Sequence, residues 1–148
     1  MRKLVPRRAR ATALLALAAL IGGASPADKA VPETFRLEVG GRRVAWHDGK
    51  LEVREIGGFG PKQGQVLASE TLVPTPAQWA EFWKALEECG VWNWKPDYRD
   101  PRSARMDGVR WSLEIAHAGR GMTSNGYNAF PERWSDFESA VWKLTANP

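Results

Sequence analysis

The chain has 148 residues, 43% of them hydrophobic and 26% charged, with eight tryptophans, a single cysteine and a formal net charge of +4. One cysteine excludes an intrachain disulfide. Five of the 21 basic and none of the 17 acidic side chains lie in the first 27 residues, leaving 16 basic against 17 acidic in the rest, so the high pI is no argument for nucleic acid as a partner.

The first 27 residues read as a secretory signal peptide. Arg2, Lys3, Arg7, Arg8 and Arg10 precede an apolar run, Ala11 to Ile21, and small residues follow. The run is too short for a membrane-spanning helix, which needs about 20 residues. Cleavage is expected after Ala24 or Ala27, which predicts an exported, periplasmic or secreted protein with no membrane insertion once the signal is removed. Residues 28–34 read as a linker, and residues 35–146 as one domain. About 120 residues suffice to bury a core without covalent staples.

Phe35, Leu37 and Val39 alternate with Arg36 and Glu38, the period of a half-buried strand. Gly40-Gly41 reads as a turn, after which Val44 and Trp46 resume the alternation. Asp48-Gly49 marks a hairpin turn, and Leu51 and Val53 follow as a third strand. A glycine-rich stretch, residues 57–64, precedes a fourth extended segment, Val66 to Val73. The stretch lacks the Gly-Lys-Ser/Thr ending of a phosphate-binding loop. It reads as a flexible connection or a lid, and no cofactor is expected.

Thr75 as cap, Pro76 at the first helical position and Gln78 completing a capping box predict a helix start. Trp79, Phe82, Trp83 and Leu86 then share one face, Cys89 sits at its edge, and Gly90 stops the helix. Val91-Trp92-Asn93-Trp94 alternates briefly and leads into a polar loop holding Tyr98, Pro96 and Pro101. Asp107-Gly108 opens the strongest strand, with Val109, Trp111, Leu113 and Ile115 facing one way. Gly119-Arg120-Gly121 turns the chain back toward residues 122–124. A last helix, capped by Asn128 with Pro131 in its first turn, presents Phe130, Trp134, Phe137, Val141 and Leu144. These elements predict one α+β domain: an antiparallel sheet of about six strands with two amphipathic helices on one face, in the order ββββ-α-ββ-α.

Candidate chemistry is sparse. His47 and His117 are the only histidines, both at predicted strand ends, and the chain has neither HExxH nor paired-cysteine spacing, so no metal site is expected. Ser124, before Asn125-Gly126, is the candidate nucleophile among the serines, without a Gly-x-Ser-x-Gly elbow around it. Glu87-Glu88 and Asp97/Asp100 read as solvated charge. No catalytic residue is assigned. Aromatics that a two-helix core does not need stand out instead: Trp92 and Trp94, two apart and so on one side of a strand, Tyr98 in the polar loop, and Trp142, about 120° from the apolar stripe of its helix. With Asn125 and Tyr127 they form the candidate contact set for a protein or a glycan.

The string Trp79-x-x-Phe82-Trp83, Val91-Trp92-x-Trp94, Asp107-Gly108-x-x-Trp111-x-Leu113 and Gly126-x-Asn128-Ala129-Phe130-Pro131 resembles uncharacterised small exported bacterial proteins, over about residues 72–144. The resemblance implies a bacterial domain and no activity. The sequence favours a non-enzymatic exported binding module for a protein or cell-envelope glycan. An inhibitor or immunity-type protein against an envelope-directed hydrolase is the alternative. A small hydrolase using His47 or His117 as base comes third.

Overall fold

Alternation of apolar and polar residues builds the first half of the domain. In a computed structural model, which describes residues 29–58, 60–102 and 108–146, three strands follow in hairpin succession: β1 (Thr34–Val39), β2 (Arg42–His47) and β3 (Lys50–Ile56). Gly40, Gly41, Asp48 and Gly49 all take positive φ at the two turns, a conformation open to glycine and tolerated by aspartate. β4 (Val66–Leu72) pairs with β3 through a bulge between Glu55 and Ile56. The proposed export segment 1–27 lies outside the described residues.

The residues expected as a linker are fastened to the domain. Trp83 Nε1 donates to the Ala30 carbonyl (2.7 Å), and Glu33 N–H to the Ala116 carbonyl (2.9 Å). The strand begins at Thr34, one residue earlier than the pattern indicates.

Helix α1 (Pro76–Cys89) has the expected ends. Thr75 Oγ1 accepts from Gln78 N–H (3.2 Å), Gln78 Oε1 accepts from Thr75 N–H (2.8 Å), and Gly90 closes the helix at φ 67°. Val91–Asn93 is a 3-10 turn, where a short strand is expected. The left-handed Gly90 reverses the chain, and its carbonyl accepts from Asn93 N–H (3.0 Å), closing a turn before a strand can form.

The next strand, β5 (Asp97–Arg99), falls inside the stretch expected as a loop. β6 (Arg110–His117) and β7 (Arg120–Tyr127) form the last hairpin, turning at Ala118-Gly119 rather than at 119–121. Asp107, expected to open β6, is outside the described residues. The sheet has seven strands in the order β4-β3-β2-β1-β6-β7-β5, against the six expected. It is mixed, because β5 runs parallel to β7. The element order is therefore ββββ-α-β-ββ-α.

Helix α2 (Trp134–Thr145) starts four residues after Phe130. Arg133 at φ 62° forms its N-terminal boundary, and Phe130 stays 40% exposed. Asn128 is not a helix cap: its Oδ1 accepts from Val109 N–H (2.9 Å), tying the end of β7 to the start of β6.

Both helices cover one face of the sheet. Phe35, Leu37, Val44, Leu51, Leu113 and Ile115 meet Trp79, Phe82 and Leu86 of α1 and Phe137, Val141 and Leu144 of α2. Aromatic rings tile this layer: Trp79 contacts Trp46 edge-on at 5.3 Å, and Trp134 lies 4.6 Å from Trp111. Such buried rings contribute roughly 1.5–3 kcal/mol each. Trp83, expected in the core, is half-buried and stacked on His117 at 3.8 Å and 2°. No helix among the described residues is long and apolar enough to cross a membrane.

Candidate functional site

Among the described residues no element covers the opposite face of the sheet, and its composition follows from the same alternation. Where Phe35, Leu37, Val44 and Trp111 point toward the helices, their neighbours Arg36, Glu38, Arg43 and Arg110 point away. Charge pairing runs over this face. Glu38 and Arg43 are cross-strand register partners and ion-paired (2.7 Å), Arg36 lies opposite Glu114, and within β3 Arg54 pairs with Glu52 (2.6 Å).

At the end bounded by the Gly40-Gly41 turn this face holds a concavity of about 620 Å³. A volume of that order suits a small ligand or a few residues of a chain. Arg43, Arg99, Arg110, Ser112, Asn125 and Tyr127 line it. The pairing of β5, β7 and β6 places them: Arg99 is opposite Tyr127, Tyr127 opposite Arg110, and Asn125 opposite Ser112. Arg43 is held by Glu38, and Arg99 by Asp97 (2.9 Å). The Arg110 guanidinium lies 5.2 Å from the Tyr127 ring centroid. Arg42, at the rim, turns to the helix side, where it lies 3.4 Å over the Trp142 ring and donates to Thr145 Oγ1 (3.1 Å). Burial lowers the Arg42 pKa, against the opposing pull of Glu55 and Glu70.

The six sequence-selected residues do not meet on one surface. Asn125 and Tyr127 enter the concavity. Trp94 is half-buried on the other side of the sheet, 5.2 Å from Phe137 and 5.8 Å from Trp134. Tyr98 packs 5.8 Å from Trp111, its hydroxyl accepting from Lys95 N–H (2.9 Å). Trp92 forms a separate cluster: its Nε1 donates to Glu87 (3.0 Å), and Arg120, ion-paired with Glu87, lies 4.5 Å over its ring. The pair is split because in a 3-10 turn, with three residues per turn, positions two apart do not share a side. Trp142 is 58% exposed on α2.

Arg43, Arg99 and Arg110 are the residues that sequence reasoning missed. Alternating arginines read as an ordinary solvated face, and only the strand order gathers them. Ser124 is fully buried with its hydroxyl donating to the Lys95 carbonyl (2.6 Å), so it presents no nucleophile at the surface. His47 sits on the open face beside Asp48 (3.0 Å), whereas His117 faces the helix layer against Trp83. Among the described residues no group of three or more His, Cys, Asp or Glu side chains could hold a metal ion. No known family model matches this chain, and no curated protein matches it.

Proposed function

We propose that the chain is a non-enzymatic exported binding module, engaging a protein or a cell-envelope glycan through the open face of its sheet. The observation that carries this reading is the concavity where three guanidinium groups, Ser112, Asn125 and Tyr127 come together from four strands, β2, β5, β6 and β7. Helices cover the other face, and among the described residues this side carries no covering element. Rigid strands hold these side chains at fixed spacing, as recognition requires.

The test has two parts. N-terminal sequencing of exported protein should begin at Ser25 or Asp28, and an intact Met1 on exported material refutes export by cleavage. Envelope fractions should raise the Tm of the mature chain, with Asn125→Ala and Arg110→Glu abolishing the response. Trp142→Ala and Arg120→Ala, on other surfaces, should retain it. A response lost in Trp142→Ala and kept in the open-face variants would move the contact to the helix side.

A further inference from the structure

The open-face concavity is richer in positive charge than the chain that carries it. Its lining includes Arg42, Arg43, Arg99 and Arg110 against the single carboxylate of Glu38. Arg42 is turned to Thr145 and Trp142, while Arg43 and Arg99 have carboxylate partners. Arg110 has none among the described residues, and its guanidinium lies against the Tyr127 ring. The ring is fixed in turn. Gly108 approaches so closely that a Cβ there would overlap the phenol. Tyr127 therefore lies between backbone and guanidinium, and it orients Arg110 rather than offering a platform for a sugar.

Trp111, the other aromatic of the lining, is 2% exposed. Backbone donors are also taken up. Gly40 N–H donates to the Arg110 carbonyl (3.3 Å) and Asn125 N–H to the Pro96 carbonyl (3.1 Å), so these two do not contribute to a nest of free amides for phosphate. What the site offers is forked guanidinium donors with the Ser112 hydroxyl beside them, on strands that hold them in fixed register. That arrangement matches carboxylates, which arginine binds through two parallel hydrogen bonds.

Resting on the binding-module reading, we infer that the concavity receives the carboxylate side chains of an acidic peptide segment on a partner protein, with Arg110 as the principal contact. Charge complementarity selects this occupant: the lining is net positive although the chain without its export segment is not. Asn125 is a positioning residue. Its Nδ2 donates to the Pro96 carbonyl (3.1 Å), which fixes β7 against the segment leading into β5 and Arg99.

The test uses the chain from residue 28 and a blocked Glu/Gly hexapeptide, its Gln/Gly isostere and an oligogalacturonate of similar charge, titrated calorimetrically at low salt. The Glu peptide should bind at least about tenfold more tightly than the Gln peptide, and weaken as salt screens the contact. Arg110→Gln should lose about tenfold, Arg110→Lys should recover part of it, and Arg120→Gln should bind as wild type. Asn125→Ala, which removes the Nδ2 donor without adding a charge, should also weaken binding, and each variant's Tm confirms that it is folded. Equal binding of the two peptides, indifference to Arg110→Gln, or preference for the oligogalacturonate overturns the inference. If envelope fractions still stabilise the protein through the open face while the acidic peptide fails to bind, the ligand class is wrong and the module survives. If both responses fail, both readings fall.

Discussion

Trp111 and Gly126 are register partners across β6 and β7, and the Trp111 indole occupies the space that a Cβ at position 126 would need. The indole Nε1 donates to the Ala129 carbonyl (2.8 Å), and Phe130 stacks over the ring at 6.3 Å and 17°. The Gly-x-Asn-Ala-Phe-Pro string is thus a cradle for one tryptophan. Gly126 makes room, Asn128 ties β7 to β6, and the residues after it supply an acceptor and a stacked ring.

Gly126→Ala should therefore cost about 1–3 kcal/mol, as overpacking in a filled core does. A Cβ there would also come within 2.7 Å of the Ala129 carbonyl. Denaturant unfolding with near-ultraviolet circular dichroism reads both the loss and the displaced indole. Adding Trp111→Phe should relieve part of the overlap, so the two changes should be less than additive. Wild-type stability in Gly126→Ala would show that the indole does not lie against β7.

What was legible in the sequence is what local chemistry decides. Thr75, Pro76, Gln78 and Gly90 mark both ends of α1 without tertiary help, and Trp111, Leu113 and Ile115 declare β6 by alternation. β5 is three residues long and has no such signal. It exists because the Pro96 carbonyl accepts from Asn125 N–H and Tyr98 packs on Trp111. Phe130 fits the helical spacing of α2 and is still outside it, because periodicity does not register the left-handed backbone at Arg133. The concavity was half legible. Asn125 and Tyr127 stand out by residue type, but the arginines beside them come from β2, β5 and β6, and only the strand order joins them.

Cys89 should behave as a reporter of unfolding. It is 7% exposed at the end of α1, and desolvation pushes its thiol pKa up, with Arg133 opposing. The thiolate is the reactive form. Alkylation by iodoacetamide should be slow in the native protein and approach the free-cysteine rate in denaturant. Native-state labelling at the free-cysteine rate would place the thiol at the surface.

The Glu87 carboxylate should contribute to acid sensitivity. Its hydrogen bond with Arg120 is the main cause holding its pKa below the usual carboxylate range, with Trp92 assisting. A carboxylate with a depressed folded-state pKa stabilises above its unfolded pKa, and that stabilisation is lost as pH falls through the folded value. Glu87→Gln should lower Tm slightly near neutral pH and converge with wild type in acid. The effect is small because the pair is exposed. A Tm difference that persists unchanged into acid would assign the effect to packing of Trp92 rather than to the charge.

Trp94 and Trp142 give opposite expectations from the same residue type. Trp94 touches Trp111, Trp134 and Phe137 with centroids 5.2–6.3 Å away, in the layer between sheet and α2. Removing its ring strips one side of the packing from Trp111, Trp134 and Phe137. Trp94→Ala should cost about 3–5 kcal/mol, a large part of the roughly 5–15 kcal/mol available to a domain of this kind. Trp142 is 58% exposed and keeps one face against the Arg42 guanidinium. Its truncation removes a cation–π contact worth about 0.5–1 kcal/mol at an exposed site and little buried area. Urea unfolding of the two variants should separate them by more than about 2 kcal/mol. Equal losses would mean that Trp142 closes the edge of the core between α2 and the β1–β2 hairpin, over the small hollow of about 220 Å³ lined by Leu37, Val39 and Val44.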